Sequence, residues 1–388
     1  MPTKLLYYEN PYISSFQASV TECVPEGKNF AIQLDVTAFF PNAGGQPCDF
    51  GKIAEANVVD VMQKGEKIIH LTDKCCGVGE TVNCEIDWGR RFFFMQHHTA
   101  EHIMSGLAHR LYGLSNVGFH MNCEMVTIDY DKELSIAQME ELELQINKII
   151  FKNLPVSPYF PTDNELKSLE YRSKKELSEN IRIVKIADVD VCACCALHLQ
   201  STGEAGLVKL LNLQRYKKGS RLNLICGEAA LYDYRQKDKS IASISQLFSV
   251  KQTEVVGAVE KLVKRSEEDK LYASKLRGEL FKLRSKDYKT EDETACIFEN
   301  DLTSDELKQF ALVLSDCRKG INAVFSGNDN DGYKYAISCA KYDMRPMSKE
   351  LNEKLNGRGG GNAVLIQGEL NSCRQKIEAY FENLNETT

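Results

Sequence analysis

The chain has 388 residues, 43% of them hydrophobic, and a net charge of −7. That length holds roughly two or three domains with real cores and excludes a disordered protein, while the acidic balance excludes indiscriminate coating of nucleic acid and leaves room for local basic patches. Residues 1–8 lack the charged start and apolar run of a signal peptide, and no stretch approaches a membrane span. A cytoplasmic protein with no membrane association is expected, its fourteen cysteines mostly reduced core residues, some binding metal.

Residues 15 to 87 read as β structure. Residues 30–36 alternate apolar and polar, and residues 58–61 and 68–71 flank the turn Lys64-Gly65-Glu66-Lys67, so a small β-barrel over 1–87 is the natural closure. Inside it, Thr37-Ala38-Phe39-Phe40-Pro41-Asn42-Ala43-Gly44-Gly45-Gln46 carries paired glycines. They permit a tight turn or the close approach of a ligand, and equally suit an ordinary loop.

A second domain is expected over 88–239. It opens on a stretch that puts three of the seven histidines, His97, His98 and His102, within six residues. Ile103, Met104, Leu107 and Leu111 give it a helical apolar pattern and Gly113 a stop, so His98 and His102 share one helix face. Residues 126–130 suggest a strand and residues 139–151 a helix with a core stripe. Residues 181–191 read as a strand leading to Cys192-Ala193-Cys194-Cys195-Ala196-Leu197-His198, and residues 207–213 as another beyond it.

From about Ser240 the composition turns helical. Val259, Leu262, Ser266, Asp269, Ala273, Leu276, Leu280 and Leu283 follow alternating steps of three and four, about four heptads with two polar members, which reads as a helical arm over 240–290. A homodimer contact through this C-terminal region is the competing use of its apolar positions. The last segment, 291–388, combines strand-like residues 323–325 and 335–338 with Asn356-Gly357-Arg358-Gly359-Gly360-Gly361-Asn362, an α/β domain with a glycine-rich loop.

The chemistry concentrates in two spacings. His98-x-x-x-His102 and Cys194-x-x-x-His198 each place two ligand-type side chains at a metal-compatible interval, and thiolate with imidazole suits tetrahedral zinc. Cys192 and Cys195 also form a C-x-x-C pair, a redox pair or an alternative half-site. Residues 98–102 further satisfy H-x-x-E-H, a zinc-peptidase motif with Glu101 as general base. Peptidase chemistry, however, favours a carboxylate or further histidine as third ligand, where this chain offers Cys194 with His198.

Taken in order, Thr37-x-Phe39-Phe40-Pro41 with Gly44-Gly45-Gln46, Met95-Gln96-x-His98-Thr99-Ala100-Glu101-His102, Cys194-x-x-x-His198, residues 201–206 and Lys218-Gly219-Ser220-Arg221-Leu222 resemble the editing domain of alanyl-tRNA synthetases and their free-standing AlaX-type relatives, most closely the long form. The loop at Gly357–Gly361 extends the resemblance to the C-terminal domain of those synthetases. No aminoacylation domain is expected. The resemblance implies an α+β fold with an N-terminal small β-barrel, a zinc-containing editing domain, a helical arm and a C-terminal α/β domain.

It also implies a zinc-dependent hydrolase that deacylates mischarged tRNA(Ala) in trans without ATP, Ser-tRNA(Ala) first and Gly-tRNA(Ala) second. A non-catalytic zinc RNA-binding module is the alternative of a different class. The implied Zn2+ ligands are His98, His102, Cys194 and His198, three or all four of them binding. Glu101, Gln46 and Cys195 are the candidates for proton handling or support of the ligands. Arg358, Gly359, Gly360, Gly361, Arg221 and Lys218 are candidates for tRNA contact, with Lys174, Lys175, Arg215 and the basic residues of the arm behind them. The family commonly reads Cys-Gly-Gly-Thr-His where this chain has Cys194-Cys195-Ala196-Leu197-His198, and Glu then Gly or Ser where it has Asn42-Ala43. The ligand types survive, while the pocket's shape and substrate preference differ.

Overall fold

Alternation of apolar and polar residues closes the first β segment on itself. In a computed structural model that describes residues 2–173, 181–288 and 294–387, strands β1 (Ser15–Glu26), β2 (Asn29–Leu34), β3 (Gly51–Ile53), β4 (Ala56–Lys64), β5 (Lys67–Thr72) and β6 (Thr81–Ile86) form a closed barrel. Its order is β1-β2-β5-β4-β3-β6, with antiparallel pairing throughout. Lys64 pairs with Lys67 across Gly65, whose φ of 64° is the left-handed conformation a two-residue hairpin turn requires. Val20, Ile32, Leu34, Val61 and Ile68 fill the interior, each contributing about 1.5–3 kcal/mol by leaving water.

Helix α1 (Trp88–Tyr112) follows directly. Asp87 caps its start by accepting from the Arg90 amide at 3.1 Å, and Gly113, at φ 61°, ends it. Between Phe94 and Ala108 every residue but Gln96 is buried. A helix buried on all sides needs neighbours all round. They are helix α2 (Ile136–Phe151), β11 (Asp190–Ala193), the turn at Thr202–Ala205 and β13 (Gly219–Cys226). Strands β7 (Asn116–Met121), β8 (Val126–Tyr130) and β12 (Val208–Tyr216) complete an antiparallel sheet ordered β12-β13-β8-β7.

A second, three-stranded antiparallel sheet orders β9 (Val156–Tyr159), β10 (Ile183–Ile186) and β11. The single strand expected over 181–191 is instead a hairpin: a 3-10 turn at Ala187–Val189 reverses the chain, so that Ile183 faces Ala193 and Ile186 faces Asp190. The cause is tertiary, since Arg110 of α1 holds the Asp188 carbonyl oxygen at 2.5 Å.

Contacts divide the chain into two units, Met1–Ser243 and Ile244–Thr388, the boundary falling inside helix α3 (Gly227–Phe248). In the second unit, α4 (Val255–Ser285) spans about 46 Å at 1.5 Å per residue. Leu262, Leu276, Leu280 and Leu283 of its heptad pattern are exposed. Its last turns pack on α5 (Ser304–Cys317), where Phe281 stacks on Phe310 at 4.6 Å. The sheet beside it is ordered β14 (Ala295–Glu299), β15 (Asn322–Asn328), β16 (Gly332–Ser338), β18 (Leu365–Leu370) and β17 (Gly357–Gly361), with α6 (Arg345–Lys354) and α7 (Arg374–Thr387) completing the unit.

The glycine run is thus an edge strand and not the expected loop. Gly359 is selected by packing, because a β-carbon there would strike the Tyr335 hydroxyl and the Gln367 carbonyl, whereas one at Gly360 would meet nothing. No helix among the described residues is long and apolar enough to cross a membrane, and no two of the described cysteines form a disulfide.

Candidate metal centre

Adjacent histidines on α1 point to opposite sides. His97 is a core residue: its Nδ1 donates to the Phe93 carbonyl at 2.8 Å, its Nε2 accepts from the Cys226 amide at 3.2 Å, and burial lowers its pKa to about 4. His98 and His102, one turn apart, present parallel rings with centroids at 5.5 Å. The segment after β11 brings Cys194 and His198 onto them. The His198 ring lies 4.9 Å from that of His98 and 4.7 Å from that of His102, and Cys194 Sγ sits 3.4 Å from His98 Nε2. One ligand-type atom from each of the four lies within 4.8 Å of the others.

The histidines are oriented from behind. His98 Nδ1 donates to Gln46 Oε1 at 3.2 Å, and His102 Nδ1 donates to Asp190 Oδ2 at 2.9 Å. Each bond places the proton on Nδ1 and leaves the Nε2 lone pair for the cluster. Neither ring nitrogen of His198 makes a hydrogen bond of acceptable geometry, although Cys194 acts on it electrostatically. Burial with no partner is costly for imidazole, so this orphaned ring fits a metal ligand.

The same crowding governs protonation. Burial opposes ionisation of Cys194, but the His98, His102 and His198 rings crowded against it outweigh it and hold the thiol well below its usual range. Burial lowers His198 to about 3. For His102 burial also lowers, yet the Asp190 hydrogen bond and Cys194 raise it to about 9. A cysteine held toward thiolate among three imidazoles is a donor set for a divalent metal, and binding one would release the proton that Asp190 and Cys194 hold on His102.

The glycine turn at Gly44 and Gly45 packs beside the cluster. Gly44 and Gly45 have φ of 62° and 80°, and added β-carbons would fall 3.0 Å from Cys195 Sγ and 2.6 Å from the Phe119 ring. Both glycines are therefore required by conformation and by contact. Phe119 lies 5.0 Å from the His98 ring, and the exposed Cys195 accepts a 3.0 Å hydrogen bond from Tyr8 Oη on its carbonyl. Ala196 and Leu197 are fully buried. Glu101 stands outside the four-residue group: it is buried, and its Oε1 accepts from Ser105 Oγ and Asn116 Nδ2, each at 2.6 Å.

Of the basic candidates, Arg221 is paired with Asp129 at 2.6 and 2.8 Å and stacks 3.7 Å above Tyr216. Lys218 is an exposed turn residue, and Arg215 pairs with Glu133 at 3.1 Å. Arg358, Gly359, Gly360 and Gly361 lie on β17, in the second unit, with Arg358 exposed. Lys174 and Lys175 lie outside the described residues.

Sequence reasoning missed Asp190, Arg172 and Arg182. Arg172 grips Asp190 at 2.7 and 2.9 Å, and Arg182 holds the Cys194 and Ala196 carbonyls at 3.1 and 2.7 Å. A signal for Asp190 was present, because it alternates with Cys192 and Cys194 and so shares their strand face.

The sequence profile of the family described as the Threonyl and Alanyl tRNA synthetase second additional domain matches residues 181–224, which contain Cys194 and His198. The chain is 27% identical to the alanyl-tRNA editing protein AlaX-L of Pyrococcus horikoshii over 96% of both chains. It is also 27% identical to the alanine–tRNA ligase of Pyrococcus abyssi, over 97% of this chain but 43% of the ligase, and 31% identical to that of Thermococcus kodakarensis, over 72% of this chain and 32% of the ligase. It thus spans less than half the length of these ligases. Among solved structures it is similar to the C-Ala domain from Aquifex aeolicus alanyl-tRNA synthetase, at 20% identity and a TM-score of 0.22, covering 25% of this chain and 96% of that one. With AlaX-L matched over 96% of both chains and the second additional domain matched over the Cys194–His198 segment, the chain is similar along nearly its whole length to an alanyl-tRNA editing protein.

Proposed function

We propose that this protein is a zinc-dependent aminoacyl-tRNA deacylase that edits mischarged tRNA(Ala) in trans, with Ser-tRNA(Ala) the first substrate and Gly-tRNA(Ala) the second. The observation that carries the reading is the convergence of His98, His102, Cys194 and His198 within 4.8 Å, in a chain similar along its whole length to an alanyl-tRNA editing protein. Soft thiolate with three imidazoles suits tetrahedral zinc, and the orphaned His198 fits that use. Zinc held there supplies Lewis acidity toward an ester carbonyl or a water molecule when a coordination position is open, and holds the fold when none is.

The chain's own residues supply the rest. Gly44 and Gly45 let the turn that carries Gln46 pack closely against Cys195 and Phe119 beside the cluster. Gln46 fixes His98. In the reaction, water adds across the ester, the amino acid leaves as its acid and the tRNA 3′ end regains its hydroxyl. Such a second, hydrolytic sieve is what a synthetase pocket needs when it rejects a near-isostere poorly. Ala196 and Leu197, buried where the family commonly has Gly and Thr, remove a hydroxyl and add bulk, so discrimination between serine and glycine rests on shape. Arg358 and its neighbouring glycines, with Lys218 and Arg221, are proposed to contact the tRNA, and the exposed leucines of α4 to join two copies.

The peptidase reading requires Glu101 as a general base beside the metal, whereas its Oε1 is engaged by Ser105 and Asn116. The deciding experiment offers Ser-, Gly- and Ala-tRNA(Ala) to the purified chain with and without a chelator. Release of serine that stops on chelation, with Ala-tRNA(Ala) spared, is the expected result. Equal hydrolysis of all three esters refutes editing, and binding without any hydrolysis points to a non-catalytic zinc RNA-binding module.

A further inference from the structure

Behind the four-residue cluster lies a second layer that neither the motifs nor the relatives' names assign. Asp190 is buried, with 1% of its side chain exposed, and both its oxygens are occupied: Arg172 Nε donates to Oδ1 at 2.7 Å, Arg172 Nη2 to Oδ2 at 2.9 Å, and His102 Nδ1 to Oδ2 at 2.9 Å. Gly106, one helical turn past His102, makes this contact attainable. A β-carbon there would lie 2.8 Å from Asp190 Cβ and would strike the Val189 carbonyl. The hairpin can therefore press Asp190 onto the helix only because residue 106 has no side chain. Arg172 arrives from a separate segment, held by the bridge that pairs it with Cys192.

We infer that Asp190, held by Arg172, is a positioning residue for the metal centre that fixes the ring angle and Nδ1–H tautomer of His102. This rests on reading the four-residue cluster as a zinc site. Asp190 also lies near Cys192 and His102 in a second group of ligand-type atoms, so its competing role is that of a ligand. Three facts favour positioning. The bidentate guanidinium already saturates the carboxylate, His102 offers it the ring nitrogen turned away from Cys194 and His198, and the outward Nε2 is what a fourfold site needs. The arrangement couples Arg172 to the metal through two hydrogen-bonded steps.

The test measures zinc affinity of the full chain by chelator competition, alongside unfolding of the metal-free protein. Asp190→Asn should weaken zinc about 10–100-fold while keeping one zinc per chain and the tetrahedral absorption spectrum of the cobalt-substituted protein. Arg172→Gln, at a side chain that is 20% exposed and so better tolerated by the fold, should weaken it less. The double variant should be no weaker than Asp190→Asn alone, because Arg172 acts through Asp190. Unchanged affinity in both single variants, with only metal-free stability lowered, overturns the inference and leaves Asp190 a structural residue. Loss of stoichiometric binding with an altered cobalt spectrum in Asp190→Asn makes it a ligand and overturns the inference equally. The metal reading fails separately, and this inference with it, when the wild-type chain takes up no zinc or when His98→Ala binds it as tightly as wild type.

Discussion

Arg91 and Asp49 form an ion pair with no exposed surface on either side chain, joining the first turn of α1 to the loop that precedes β3. The guanidinium also donates to the carbonyls of Pro11, at 3.1 Å, and Ala38, and the Asp49 carboxylate also accepts from the Phe40 amide at 2.6 Å, so the pair ties the helix that carries His98 to the segment that precedes β3. Replacing Arg91 with Met strands a buried carboxylate. It should cost about 3–5 kcal/mol in urea unfolding, whereas removing both charges in Arg91→Met/Asp49→Asn should recover part of that loss.

Neighbouring histidines on α1 should separate cleanly. His98→Ala or Cys194→Ala should lower zinc content by elemental analysis below one per chain. His97→Ala should leave it unchanged and lower stability by about 1–3 kcal/mol, because the Cys226 amide loses its acceptor. Full zinc in His98→Ala/His102→Ala would sink the assignment.

His70 sits inside the barrel, fully buried, bonded to Thr37 Oγ1 at 2.9 Å and the Ile32 carbonyl at 3.1 Å, and burial lowers its pKa to about 4. The unfolded chain, titrating near 6.5, then binds the proton more readily than the folded one. Stability should be full above about pH 7, fall as pH drops through 6.5, and lose roughly 3 kcal/mol from this group by pH 4, below which it contributes no further slope. Urea midpoints across that range check it, and His70→Gln should flatten the profile by that amount.

Much of the site was legible because helical periodicity is strong: the four-residue step that puts His98 above His102 needs no tertiary information. The barrel's hairpin at Gly65 was readable for the same local reason. What escaped was set by packing. Nothing local in residues 181–191 announces the reversal at Ala187–Val189, which depends on Arg110 arriving from α1. The glycines at 357–361 suggest a loop to any reader of single residues, yet they form a strand because they pair with β18, from Gly357 opposite Leu370 to Gly361 opposite Ile366. Charge alone could not show pairing, since the sequence does not reveal that the Arg221 guanidinium is bonded to Asp129.

The second unit should matter for tRNA and not for chemistry. A chain ending at Ser249, just past α3, should keep zinc and hydrolyse a short aminoacylated acceptor mimic, yet bind intact tRNA more weakly and with a shallower dependence on salt. Binding to intact tRNA that is unchanged while a dimer becomes a monomer in light scattering would instead make the exposed leucines of α4 an assembly surface alone.

His98 and Cys194 meet although 96 positions separate them, and Gln46 reaches His98 across another 52. Loop closure over such lengths has to precede any reward from the contact, and neither half can recruit its partner locally. On a ribosome the cluster cannot exist until His198 has emerged and the hairpin has docked against Gly106. Under the proposed zinc reading, uptake of the ion would therefore have to follow synthesis past His198. A chain whose hairpin has slipped or been cut offers two histidines and nothing more, so starvation for metal should populate a nearly native species whose defect is confined to the 183–193 hairpin and the Cys194–His198 segment that follows it.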